Sequence, residues 1–248
     1  MRKFAISDIH GCVQTFKALL GKINYTKNDE LYLLGDYIDR GPDGKGVIDH
    51  IWHLQQEGYA VHCLLGNHEK ILLDAATKGK SFYDEGEIYT LFSFGVNHYK
   101  DIPTKYIDWI KGLVYYLEID NYILVHAGLN FKVRKPFKDL KEMIWIRRYN
   151  MKIDKDWLGD RIVIHGHTPI TLAEMKKDFS NLAQRQALDI DGGCCFNDRG
   201  LGHLVAFELG SQDLFFQPLI DTWPEKLTET ILSPGELFKS LFKKIQRS

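Results

Sequence analysis

What this 248-residue chain lacks narrows its role before any motif is read. No apolar run approaches the roughly 20 residues of a membrane-spanning helix, so a membrane protein is not expected. Charge of one sign is not in excess. With 32 Lys and Arg against 33 Asp and Glu, the formal net charge is -1, and nothing points to nucleic acid or an anionic bilayer as partner. Cysteine is scarce. Cys12, Cys63, Cys194 and Cys195 form no CxxC pair and no disulfide-like spacing, which argues against a disulfide scaffold. They read as small core residues in a reduced, cytoplasmic protein. Met1-Arg-Lys runs straight into a strand, which leaves no room for a signal peptide. No repeat, low-complexity tract or interdomain linker is visible. Hydrophobic content of 44% is ordinary, and the length suits one large domain with a real core.

What is present is a series of polar clusters, each at the end of an apolar run. Ser7-Asp-Ile-His-Gly11 follows Lys3–Ile6, Gly35-Asp-Tyr-Ile-Asp-Arg-Gly41 follows Glu30–Leu34, and Gly66-Asn-His-Glu69 follows Ala60–Leu65. Later, His126-Ala-Gly128 follows Tyr122–Val125 and Gly166-His-Thr168 follows Arg161–Ile164. Short apolar runs bounded by turn residues read as buried strands. Ligands of open α/β sheets bind at the carboxyl edge of such strands. Between the first three clusters lie helical patterns: Val13, Phe16, Leu19, Leu20 and Ile23, then Val47, Ile48, Ile51 and Leu54 before Gly58. About 24 residues separate successive clusters, the size of a helix with its return strand. Right-handed crossovers would bring all three to one edge of a parallel sheet. Leu72–Ala76 continues a third helix, Tyr106–Leu113 reads as a fourth, and the aromatic-rich stretch Phe82–Tyr99 reads as core or cap packing. Ala187–Asp191, His203–Leu209 and Leu214–Pro218, separated by Gly-containing turns, are expected to pair antiparallel.

The ordered set SDIHG, GDYIDRG, GNHE, HAG and GHT, from Ser7 to about Cys194, resembles the PPP-type metallophosphoesterases, the Ser/Thr protein phosphatases with their bacterial and phage relatives. One departure is Ser7, where that family usually has Gly; preceding the ligand, it is expected to matter little. The resemblance implies an α/β fold of two mixed β-sheets packed as a sandwich and flanked by helices, the calcineurin-like metallophosphoesterase fold. Residues 1–219 would form the catalytic domain. Residues 220–248 would form an extension, with a short amphipathic helix over Glu236–Arg247 packed on the same domain.

Hydrolysis of phosphate monoesters needs an unusually large barrier reduction. A two-metal centre supplies it by clamping phosphoryl oxygens and generating hydroxide near neutral pH. Asp8 and His10, alternating at a strand end, can reach a first metal, and Asp36 on the adjacent strand can bridge to a second. By resemblance Asn67, His126 and His167 complete the second site, with His165 left as a supporting residue or the last of its strand. His68, beside Asn67, is the expected general acid, oriented by Asp39. Arg40 offers a bidentate fork to phosphate, and the family's Trp-x-Arg pattern favours Arg147 over Arg148 as the second. Two divalent ions are expected, Mn2+ ahead of Fe or Zn. No Ser or Cys nucleophile elbow is present, so direct attack by metal-bound hydroxide is expected. The expected substrate is a phosphoserine or phosphothreonine protein, or a small phosphoester, acted on by a monomer. Symmetrical diadenosine tetraphosphate hydrolases resemble the chain closely too. They tend to lose the second Asp of GDxxDRG, retained here as Asp39, which ranks protein dephosphorylation first.

Overall fold

A computed structural model describes residues 1–79, 87–148 and 151–224. Strands β1 (Lys3–Ile6), β2 (Glu30–Leu33) and β3 (Ala60–Cys63) run parallel, joined through helices α1 (Val13–Lys22) and α2 (Gly44–Gln56). Helix α3 (Asn67–Lys78) starts at the third cluster and stops at Gly79, whose φ of 64° suits a residue with no Cβ. Helices α4 (Glu87–Phe94) and α5 (Thr104–Lys111) cover one side. A second sheet contains β4 (Tyr116–Ile119), β5 (Tyr122–Val125), β6 (Ile162–His165) and β7 (Ala187–Asp189). Short helices α6 (Leu140–Trp145), α7 (Lys155–Leu158), α8 (Leu172–Phe179) and α9 (Leu182–Arg185) connect them. The chain then returns to the first sheet as β8 (His203–Glu208) and β9 (Leu214–Pro218), giving the order β3-β2-β1-β8-β9 against β4-β5-β6-β7. This is the α/β sandwich of two mixed sheets expected from the sequence.

The apolar runs look continuous because both faces of each strand are covered. Phe4, Ile6, Leu31 and Leu33 point to the helix layer of the first sheet, while Ala5, Tyr32 and Leu34 point between the sheets. There they meet Leu124, Ile164 and Leu188 of the second sheet. The intervening Ile123, Val125, Val163 and Ala187 face outward onto Leu129, Met143 and Leu158. Strand alternation thus serves three layers of core at once.

Two readings of the strands need correction. β7 does not join β8 and β9. It pairs parallel to β6 in the other sheet, because Gly192-Gly193 carries the chain across the sandwich instead of turning a hairpin. β4 was not foreseen; it forms a hairpin with β5 over Asp120-Asn121, Asp120 taking a φ of 53°. The amphipathic helix expected over Glu236–Arg247, and residues 82–86 of the aromatic stretch, lie outside the described residues. Within them, no helix is long and apolar enough to cross a membrane.

Buried Asp29 ties the start of β1 to the loop before β2. It accepts from Arg2 Nε (3.0 Å) and Nη2 (2.7 Å) and from the backbone N and hydroxyl of Thr26 (both 2.9 Å). The Arg2 guanidinium holds the Asp29 carboxyl well below the usual carboxylate range. A depressed folded-state pKa contributes stability above the unfolded value, about 3.9, and that stability is lost as pH falls below it. Asp29→Asn should therefore cost roughly 1–3 kcal/mol in urea unfolding at pH 7, and the difference from wild type should shrink at pH 2.5. An equal cost at both pH values would show that the ionised pair is not what matters.

Candidate metal centre

The carboxyl ends of β1, β2, β3, β5 and β6 converge where the two sheets meet, and all five sequence clusters arrive there. Asp8, His10, Asp36, Asp39, Asn67, His68, His126 and His167 are all buried, none more than 7% exposed. The backbone takes unusual turns to aim them. Asp8, His10, Asp36, Asp39, Arg40 and His167 all have positive φ, between 45° and 73°. This conformation is uncommon outside glycine, and it persists where surrounding structure enforces it.

Two groups of potential ligand atoms form, each with its atoms within 4.8 Å of one another: His10, Asp36 and His68, and Asp36, His126 and His167. Asp36 belongs to both. Its Oδ2 lies 3.5 Å from His10 Nε2, and its Oδ1 lies 3.5 Å from His126 Nε2. Backbone carbonyls orient two of the rings, His10 Nδ1 donating to Ile38 O (2.8 Å) and His126 Nδ1 to Leu34 O (3.0 Å). Their Nε2 atoms are thereby turned inward as acceptors, the arrangement carbonyls impose on metal-binding imidazoles.

Asn67 Oδ1 lies 2.9 Å from His126 Nε2 and 2.8 Å from His167 Nδ1. With His126 Nδ1 already donating, its Nε2 carries a proton only as imidazolium, and burial lowers that pKa. Two acceptors therefore face each other. His167 Nε2 is buried with no hydrogen-bond partner among the described residues, and burial, with His126 nearby, pushes this imidazole down to about 2. Burial also raises Asp36 well above the carboxylate range, reinforced by Asp8. Converging lone pairs and carboxylates that the protein alone cannot keep charged fit a bound cation.

Asp8 lies outside both groups, next to His167. Its Oδ1 and Oδ2 accept from His167 N (3.2 and 3.1 Å), and Ser7 Oγ donates to its Oδ2. His68, not Asp8, shares the group with His10 and Asp36. Ser7, expected to matter little, thus holds the Asp8 carboxylate directly.

His68 Nδ1 lies 2.6 Å from Asp39 Oδ2, and its Nε2 faces inward, 3.9 Å from Asp36 Oδ2. Burial lifts Asp39 to about 6 and pulls His68 well below its ordinary value. Arg40 Nη1 donates to His10 Nε2 (2.6 Å), and its guanidinium stacks over Phe196. Arg147 Nη1 reaches toward His167 O at 3.5 Å, whereas Arg148 is held by Asp178 at 3.0 Å. His165 points away from this group.

Three supporting residues escaped the sequence reading. Glu69, the last letter of GNHE, accepts from the backbone N of Asp36 (2.9 Å), Tyr37 (2.8 Å) and Gly66 (3.1 Å), binding the second cluster to the third. Thr90 of α4 donates to Asp39 Oδ1 (2.5 Å) and accepts from Asp39 N (2.9 Å). Asp191, buried beyond β7, is raised by burial and by Asp8, which places it against the same cluster. It carried the signal that marked the others, an acid and glycines after an apolar strand, in Ile190-Asp-Gly-Gly193.

The calcineurin-like phosphoesterase family matches residues 1–200, and the chain belongs to that family. Such enzymes use a dinuclear divalent-metal centre. Among relatives, the symmetrical bis(5'-nucleosyl)-tetraphosphatase of Wigglesworthia glossinidia brevipalpis is 35% identical over 133 residues, 52% of this chain and 45% of that one. The chain thus spans less than half of that relative's length. The asymmetrical bis(5'-nucleosyl)-tetraphosphatase PrpE of Oceanobacillus iheyensis is 26% identical over 220 residues, 78% of this chain and 84% of that one. A crystal structure of a putative diadenosine tetraphosphatase shares the fold with a TM-score of 0.63 at 21% identity, over 89% of this chain and 95% of that one. So does a Saccharomyces cerevisiae protein serine/threonine phosphatase, at 0.63 and 15%, over 91% and 82%.

A Cβ at Gly166 would overlap Ser7 Oγ and Asp8 Oδ2. Gly166→Ala should therefore displace Asp8 and lower divalent-metal content without loss of helical circular dichroism. Wild-type metal content in the folded variant would show that Asp8's position is immaterial.

Proposed function

We propose that this chain hydrolyses phosphoric esters or anhydrides at a dinuclear centre, with dinucleoside tetraphosphates as substrate. The observation that carries the chemistry is the buried convergence of Asp36, Asn67, His126 and His167 beside the His68–Asp39 pair. His10, with Asp8 lying beside these groups, would hold one metal and Asn67, His126 and His167 the other, Asp36 being common to both sets. When bound, the metals neutralise phosphoryl oxygens and activate a water. Mn2+ is favoured, with Fe and Zn compatible with the same donors.

His68 gives the proton on Nε2 to the departing oxygen. Asp39, bonded to Nδ1, sets the ring's direction and stabilises its cationic form. The Thr90 hydroxyl, donating to Asp39, opposes the rise that burial imposes on this carboxyl. Arg40 and Arg147 would take the non-bridging phosphoryl oxygens.

Two observations bear on the substrate. The named activities of the sequence relatives support dinucleoside tetraphosphate cleavage, which reverses the order drawn from Asp39 alone. Retention of Asp39, 2.6 Å from His68, favours protein dephosphorylation as the second reading, because a serine alkoxide leaves poorly without an acid. Diadenosine tetraphosphate and a phosphoserine peptide assayed side by side decide between them by kcat/KM. Two ADP per turnover would mean symmetrical cleavage, ATP with AMP asymmetrical. A higher value on the peptide overturns the first reading.

Chelation should abolish turnover, and restoration by Mn2+ should bring two metals per active chain; full activity at one metal per chain would remove the dinuclear assignment. His68→Asn should lower kcat about 10²–10⁴-fold on the phosphoserine peptide with metal content retained. The loss should be smaller on p-nitrophenyl phosphate, whose phenolate needs little help. Equal losses on both would place the acid elsewhere.

A further inference from the structure

On the outer face of the second sheet, away from the histidines of the centre, lies a cavity of about 250 Å³. His165 of β6 and Asp189 of β7 are register partners and, like Val163 and Ala187, point to this face. Asp189 is 3% exposed. Its Oδ1 accepts from Asp191 N (3.0 Å), and its Oδ2 has no hydrogen-bond partner among the described residues. The nearest imidazole nitrogen, His165 Nδ1, is 4.0 Å away, beyond hydrogen-bond reach. An unmet buried acceptor of this kind is costly. Also lining the cavity, Arg148 and Arg185 share a single carboxylate oxygen of Asp178, at 3.0 and 3.2 Å, so that two guanidinium groups face one anionic partner there.

We propose that this cavity is a second ligand site, for a small hydroxylated organic anion: a hydroxyl hydrogen-bonds with Asp189 Oδ2 and the anionic group pairs with Arg148 and Arg185. Met151, Ile153 and Ala187 supply an apolar wall for the ligand's carbon face. The volume is below the roughly 300 Å³ at which drug-sized pockets begin, so the ligand is one sugar unit in size. A sugar phosphate and a sugar acid both present this chemistry. Burial raises the Asp189 carboxyl well above its ordinary range, and a hydroxyl suits Oδ2 in either form, donating to the carboxylate or accepting from the acid, as an ammonium group cannot. The site is separate from the metal centre and does not depend on the reaction assigned there.

The test uses the full-length, metal-loaded protein with 13C-labelled methionine methyls, of which Met151 alone among four lines the cavity. Two probes are titrated, gluconate and the non-hydrolysable phosphonate analogue of ribose 5-phosphate. Ribose and methylphosphonate serve as half-ligands. A saturable shift of Met151 with either probe, with the half-ligands at least tenfold weaker, is the expected result. The probe that binds more tightly identifies the anion as phosphate or carboxylate. Arg185→Ala, at a partly exposed position, should weaken binding about tenfold or more while turnover at the metal centre is unchanged. Asp189→Asn should weaken the hydroxylated probe and leave methylphosphonate unaffected. No saturable Met151 shift, half-ligands as tight as the probes, or full affinity in Arg185→Ala would each overturn the proposal.

Discussion

The structure turns on one electrostatic problem: several carboxylates and imidazoles are packed into one buried place with too few protein cations to balance them. Asp36 is lifted by burial and by Asp8, Asp191 likewise, while burial drives His10, His68, His126 and His167 toward their neutral forms. Left alone, such a cluster would take up protons or rearrange. Held rigidly, it presents neutral nitrogens and carboxylate oxygens to any divalent cation that enters. Much of the surrounding architecture is understandable as the means of holding it.

That rigidity comes from the backbone as much as from packing. Six site residues adopt positive φ at the turns that end the strands, so each side chain is swung off the sheet and back toward the common point. Strain of this kind lasts only where other contacts enforce it. Glu69 supplies three of them by gripping the amides of Asp36, Tyr37 and Gly66, so the second and third clusters move as one body. A further tie runs from the far end of the described chain. Asp221 accepts from the amides of Gln14 and Thr15 at the start of α1, and Trp223 Nε1 donates to Arg40 O at 2.9 Å. The loop that carries Arg40 is therefore fastened by a residue 183 positions away.

The same logic separates the roles of neighbours in sequence. Arg147 and Arg148 are adjacent, yet one reaches toward His167 and the other is paired with Asp178. His165 and His167 are two apart, yet the first faces the outer cavity and the second the metal-binding cluster, because His167 takes a φ of 73° and breaks the strand's alternation. One sheet edge thus supports two chemically distinct environments.

Much of this was legible in the sequence because it is encoded locally. An apolar run, a turn glycine and a ligand-type residue are neighbours along the chain. The spacing of His10, Asp36 and Asn67 by helix-sized segments is enough to bring them to one edge. Helices α1 and α2 appeared for the same reason, their buried faces repeating every three to four residues. Other features were decided only when the fold closed. Thr90 lies 51 residues from Asp39, and no periodicity of α4 marks its hydroxyl as the one that meets that carboxylate. Ser7 looked incidental until His167, distant in sequence, came to share Asp8 with it. β7 has the composition of any buried strand, and which sheet it joins depends on the path of Gly192-Gly193 through a core that local sequence cannot specify. Residue type and short-range spacing determine what each strand end can bind. Which of those groups meet is a property of long-range packing, since burial, charge and hydrogen-bond partners are assigned to a side chain only by the residues that close around it.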